Sequence, residues 1–129
     1  MEHKQLLTVF NSLPVGIGFF TADGTLVRCN ESFCRIFGAD SQTLLGNKLN
    51  INENSVVPDV VKEAVRRCVP VQMSFLYDFD KQRTDKRFFS TCTRTCYLKF
   101  NGNPLYDNDG KFVNYIFIFE DITETVKSE

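Results

Sequence analysis

The sequence predicts an α+β domain, an antiparallel sheet with short helices packed on one of its faces. Two observations carry this expectation. The elements run as two strands, several helices and then three strands, an order that favours segregated helices over a doubly wound parallel fold. The hydrophobic period also switches, from the helical spacing of the segment before Pro70 to a period of two after it. At 129 residues the chain suits one domain that buries a core without a covalent staple, and no internal repeat or second domain is visible.

Residues 4–13 set Leu6, Phe10 and Leu13 on one helical stripe, and Pro14 disfavours helix from Leu13 onward. Residues 15–20 are apolar and β-prone, and Ala22-Asp23-Gly24 turns them into a second strand over 25–29, an opening hairpin. Asn30 suits the cap of a short helix over 31–37 whose Phe33, Ile36 and Phe37 share a side, and Gly38 suits its left-handed stop. Asp40 or Ser41 can cap a second small helix around Leu44 and Leu45, closed by Gly46. Residues 47–54 read as irregular polar chain, expected to be the most mobile stretch.

Pro58 opens a longer helix reaching about Cys68, with Val57, Val60, Val61, Ala64, Val65 and Cys68 as its buried stripe. Lys62, Glu63, Arg66 and Arg67 are left to water. Val71, Met73, Phe75, Tyr77 and Phe79 then alternate with Gln72, Ser74 and Asp78 in a strand with one apolar face. After a polar turn over 80–86, residues 87–100 are β-rich, and Gly102 and Pro104 are expected to bend or end that strand. Asp107-Asn108-Asp109-Gly110 makes a tight hairpin into a last strand over 112–119, after which Asp121 or Thr123 can cap an outgoing helix.

The counts of 15 basic and 16 acidic residues leave a net charge of -1, so no field favours phosphate backbones or anionic lipid, and neither nucleic acid nor a membrane surface is an expected partner. No apolar run approaches the ~20 residues that span a bilayer, and the first residues lack a signal-peptide core, which gives a cytoplasmic expectation. Cys29, Cys34, Cys68, Cys92 and Cys96 are odd in number and scattered, so free thiols are expected.

Two segments carry a resemblance to a known family. One is Leu13-Pro-Val-Gly-Ile-Gly-Phe-Phe-Thr-Ala-Asp-Gly-Thr-Leu-Val-Arg-Cys-Asn30, a hairpin running into a capping asparagine. The other begins at Asn103-Pro-Leu-Tyr-Asp-Asn-Asp-Gly-Lys-Phe-Val113 and closes in Glu120-Asp-Ile-Thr-Glu124. Their order and separation resemble the PAS domain family, with 1–13 as a leading amphipathic helix, 14–122 as the PAS domain and 123–129 as the start of an outgoing signalling helix. The resemblance implies a five-stranded antiparallel sheet wrapped by short helices, often around a ligand pocket, with the signal leaving through the terminal helix. It also implies a sensory module of a bacterial-type signalling protein, fused to an output domain such as a histidine kinase or a diguanylate cyclase of the GGDEF kind. The chain ends a few residues past the Asp-Ile-Thr motif, so that output domain is expected to follow it.

The residues disfavour several cofactors of such domains. Haem there is usually held by a histidine on the long helix, whereas the single histidine is His3, and Cys68 on that helix reads as packing. Adduct-forming flavin sensors carry a cysteine in a Gly-x-Asn-Cys-Arg-Phe motif, where this chain has Gly46-Asn-Lys-Leu-Asn50; noncovalent flavin stays open. The cysteine separations do not resemble iron-sulfur spacings, and Cys92 and Cys96 on a regular strand would stand about 13 Å apart, too far for a disulfide or a shared metal.

Catalysis has little to build on, with His3 terminal, no glycine-rich phosphate loop, and Asp78 and Asp80 beside an exposed turn. A small cone-shaped isomerase is the competing enzymatic reading. The thirteen phenylalanines can line a flat-ligand pocket or fill it and leave a dimerisation or protein-interaction module. Phe33, Phe37, Tyr77 and Phe117 are read as lining a pocket, with Arg94, beside Ser90 and Cys92, facing an anionic small-molecule ligand or facing water. Asp121 and Thr123 are read as the signal exit, and the Leu6, Phe10 and Leu13 stripe as a homodimer contact.

Overall fold

A computed structural model describes residues 2–79 and 95–124. The leading helix α1 (His3–Ser12) is followed by strands β1 (Gly16–Phe20) and β2 (Leu26–Cys29), helices α2 (Glu31–Phe37), α3 (Ser41–Gly46) and α4 (Asp59–Arg67), and strands β3 (Val71–Asp78), β4 (Thr95–Tyr106) and β5 (Phe112–Asp121). The five strands form one antiparallel sheet in the order β2-β1-β5-β4-β3, which bears out the expected fold class.

Local chemistry sets each boundary. The Asn30 side chain accepts from Phe33 N at the start of α2, and Gly38, at φ 66°, ends it in the left-handed region. The Asp40 carboxylate accepts from Thr43 N at 2.7 Å to open α3, and those same Thr43 contacts hold the carboxyl below its ordinary range. The β4–β5 hairpin turns on Asp107, whose Oδ1 accepts from Asp109 N and Lys111 N at 2.9 Å each, with Gly110 at φ 79°.

Alternation on the strands points Phe20, Leu26, Tyr77, Cys96, Leu98, Phe100, Tyr115, Phe117 and Phe119 to one face, where α2, α3 and α4 cover them. α1 departs from that layer: its Phe10 ring meets Phe19, on the opposite face of β1, at 5.9 Å.

Four details differ from the sequence expectation. Val60 is 57% exposed, because Val57, Val61, Ala64 and Val65 already complete the buried stripe of α4. Gly46 lies inside α3, and the residue with positive φ after it is Lys48, at 50°. Residues 47–54 are fastened rather than loose: Leu49 O accepts from Leu26 N, Ile51 N donates to Gly24 O, a 3-10 turn spans Ile51–Glu53, and Leu49, Ile51 and Asn54 are buried.

The fourth difference is in β4, which runs straight through Gly102 and Pro104 to Tyr106. A Cβ at Gly102 would come within 2.6 Å of the Phe117 ring and 2.8 Å of the Tyr115 ring, so this glycine makes room for aromatics instead of bending the chain. Tyr97 bonds toward β5, so even-numbered β4 residues bond toward β3; Pro104 lies past the last β3 pair, Val71 with Gly102, and its missing N–H breaks no ladder. Gly102→Ala is accordingly expected to lower stability by about 1–3 kcal/mol through overpacking, read as a fall in urea midpoint with unchanged slope.

Candidate functional site

The residues singled out from the sequence fall in three places in the fold: the aromatic interior, the junction after β5, and the seat of α1. In the interior, Phe33 and Phe37 project from α2, Tyr77 from β3 and Phe117 from β5, all between 0% and 4% exposed. Ring centroids stand 4.7 Å apart for Phe33 and Phe37, 5.5 Å for Phe37 and Tyr77, and 5.6 Å for Phe37 and Phe119, which in turn stacks on Phe117 at 5.8 Å. Phe79 and Phe100 join the same cluster. The structure therefore gathers four of the expected pocket residues into one cluster: Phe37 meets Tyr77 edge to face and Phe33 at a tilt, and Phe117 joins them through Phe119. Arg94, Ser90 and Cys92 lie outside the described residues.

Among the described residues, a polar contact reaches these rings at Tyr77. Asn54, itself buried, donates through Nδ2 to the Tyr77 hydroxyl at 2.6 Å and accepts from Val56 N at 2.9 Å. Reading the sequence missed it, because a polar residue in an asparagine-rich run gives no sign of pointing inward. A second buried phenol, Tyr115, donates to Val69 O at 2.5 Å and is pushed up to about 12 by burial and by the neighbouring Cys68 thiol, so it stays protonated. An open groove of about 930 Å³ runs along α4 past Asp59, Lys62, Glu63, Arg66 and Pro70, away from the ring cluster. Among the described residues no group of three or more His, Cys, Asp and Glu side chains could hold a metal, and no helix is long and apolar enough to cross a membrane.

At the junction, Ile122 N donates to Tyr97 O at 2.9 Å, continuing the β4–β5 ladder. Tyr97 N then donates to Thr123 Oγ1 at 3.0 Å, so a side-chain hydroxyl stands in for the next strand carbonyl. Thr123 Oγ1 and N both donate to Asp121 Oδ1, at 2.6 and 3.0 Å. Residues 123 and 124 are already helical. The two expected exit residues thus form one connected latch on β4.

The helix α1 is seated at its C-terminal end. Asn30 Nδ2 donates to Phe10 O at 3.0 Å, Ser32 Oγ to Leu13 O at 2.5 Å, and Glu31 N to Asn11 Oδ1 at 3.2 Å. Phe10 and Leu13 are half-buried against their own domain, whereas Leu6, Leu7 and Val9 are exposed. The expected stripe is divided: only Leu6 of the three faces fully outward.

The sequence model of the PAS fold matches residues 10–127. The chain belongs to the PAS family. PAS domains are generally sensory, non-catalytic modules, and a signalling sensor module is the class this membership supports. No curated protein matches the sequence significantly.

Solved structures agree on the PAS architecture. An RNA-binding light-oxygen-voltage receptor superposes with a TM-score of 0.73 at 20% identity, over 96% of this chain and 34% of that one. The PAS domain of the fruit-fly ELK potassium channel gives 0.70 at 10% identity, covering 95% and 98%. A domain of a sensory box sensor histidine kinase/response regulator from Geobacter sulfurreducens gives 0.60 at 15% identity, covering 92% of each. At such identities the likeness concerns fold alone.

Replacing Asn30 separates its donor bonds from its helix cap. Asn30→Ser keeps an acceptor for Phe33 N but loses the donors to Phe10 and Val15, so it is expected to cost about 1–3 kcal/mol and to speed amide exchange in α1 while α2 stays protected. Equal loss of protection in both helices would contradict a seat specific to α1.

Proposed function

We propose that the chain is a relay module of a larger signalling protein, passing a change in its sheet to an output domain through the latch at Asp121 and Thr123. The observation that carries this reading is the pair of bonds from Tyr97 N to Thr123 Oγ1 and from Thr123 Oγ1 to Asp121 Oδ1. They make the first turn after the sheet depend on the position of β4, so a shift of β4 against β5 alters the start of the outgoing helix. Such coupling needs two states that the input binds or stabilises unequally. A histidine kinase or a diguanylate cyclase is the output this reading favours, in line with the company that PAS domains keep.

The ring-on-ring packing of Phe33, Phe37 and Tyr77, joined to Phe117 through Phe119, supports a second reading, in which the interior is filled and the input is a protein contact and not a small molecule. The exposed Leu6, Leu7 and Val9 of α1, with Val27, Leu76, Tyr97 and Ile118 on the outer sheet face, supply the surface for a homodimer. A cytoplasmic location suits either reading, and no catalytic step is assigned to the domain.

Two measurements test these proposals. In a full-length parent, Asp121→Ala and Thr123→Val are expected to change output activity several-fold while leaving the domain folded; unchanged output in both would reject the latch. Native mass spectrometry of the purified domain is expected to show a dimer that Leu6→Glu converts to monomer. A defined additional mass per chain would favour a ligand over the filled interior, and a wild-type monomer would reject the dimer.

A further inference from the structure

Cys29 ends β2 and Cys34 lies in α2, on either side of the turn made by Asn30. Their sulfurs stand 3.9 Å apart, both side chains are half-buried, and both pack against the edge of the core. A disulfide bond is ~2.05 Å long, so about 2 Å of approach separates contact from bond. Among the described residues, the pair belongs to no group of three or more metal-ligating side chains.

We propose that Cys29 and Cys34 form a reversible dithiol–disulfide site that exchanges with low-molecular-weight disulfides of the glutathione class. Cys34 loses its proton to water and its sulfur attacks one sulfur of the small disulfide. A mixed disulfide forms, and one small thiolate leaves and takes up a proton. Cys29, likewise deprotonated, then attacks the Cys34 sulfur, closing the internal bond and releasing the second small thiol. Two protein thiols are oxidised by two electrons, and the small disulfide is reduced to two thiols. The closed bond ties the end of β2 directly to α2 around Asn30, whose amide holds α1, so the oxidation state of the pair bears on how the leading helix is seated. The site stands apart from the relay reading and does not depend on it.

The surroundings set the kinetics. Burial, then the neighbouring Cys34, pushes the Cys29 thiol up to about 12. Cys34 is raised by burial and by Asp40 and Glu31, against which Cys29 and Arg35 act. Both are therefore thiols at neutral pH, closure is slow, and its rate rises roughly tenfold per pH unit as thiolate forms. Thiols that hold their protons this firmly are also poor leaving groups, so the bond, once closed, is slow to open.

The sequence makes the test direct, because Arg28 and Arg35 leave both cysteines in one tryptic peptide, residues 29–35. The native domain is equilibrated in reduced and oxidised glutathione mixtures, alkylated, digested and weighed. The peptide is expected to pass from doubly alkylated to unalkylated and lighter by two hydrogens, and to return on adding dithiothreitol. Cys29→Ser is expected to halt at a glutathione adduct on Cys34. A peptide that stays doubly alkylated in the most oxidising mixture, a wild-type chain that halts at the adduct, or closure only after unfolding in urea would overturn the proposal.

Discussion

Much of this fold hangs on the amide of Asn30. A carboxamide offers two N–H donors and two acceptor lone pairs, and here all four are engaged. Oδ1 accepts from Ile17 N at 2.8 Å and Phe33 N at 3.0 Å, and Nδ2 donates to Phe10 O at 3.0 Å and Val15 O at 2.9 Å. The residue is 1% exposed, so each bond forms away from competing water. One side chain thus joins α1, the link into β1, β1 itself and α2. It also fixes the direction in which α2 leaves the sheet, and hence where Phe33 and Phe37 meet the rings of β3 and β5.

The interior built on that arrangement is close-packed and aromatic, and packed rings yield in steps instead of deforming smoothly. A displacement of β5 against β4 must re-seat Phe100, Phe117 and Phe119 together, since their centroids lie 4.2–5.8 Å apart. Gly102 belongs to the same fit, as the place where β4 gives up a side chain so that Tyr115 and Phe117 can lie flat. Mechanical continuity from the interior to the end of β5 is therefore a property of the packing.

The sequence revealed the elements whose cause is local and concealed those whose cause is tertiary. Asn30 with Gly38, and Asp107 with Gly110, declare a helix and a hairpin from within a few residues, and the structure has both where expected. Gly102 and Pro104 read locally as a break, but the space for one and the free side of the other come from neighbouring strands, which no linear pattern displays. The same holds in the candidate site. Phe33, Phe37, Tyr77 and Phe117 were legible as inward-facing from their periodicity, whereas the meeting of Phe37 with Tyr77 and Phe119, the Asn54 bond to Tyr77 and the approach of Cys29 to Cys34 depend on how elements cross. Cys29 and Cys34 did carry a signal in their spacing across a capped turn, once the turn is known to be tight.

The pairing of β1 with β5, Gly16 opposite Phe119 and Phe20 opposite Tyr115, sets the order in which the chain can acquire its structure. β1 sits inside the sheet, yet one of its two neighbours is the last strand to be synthesised. Until that strand emerges from the ribosome, the hairpin of β1 and β2 has an open edge, and the phenylalanines of α2 lack Phe117 and Phe119 to close over them. Closing so long a loop carries an entropic cost, and the sheet cannot be completed before β5 has been synthesised. A nascent chain stalled before that point would present an aromatic surface and an unpaired strand together, the combination that chaperones exist to shield.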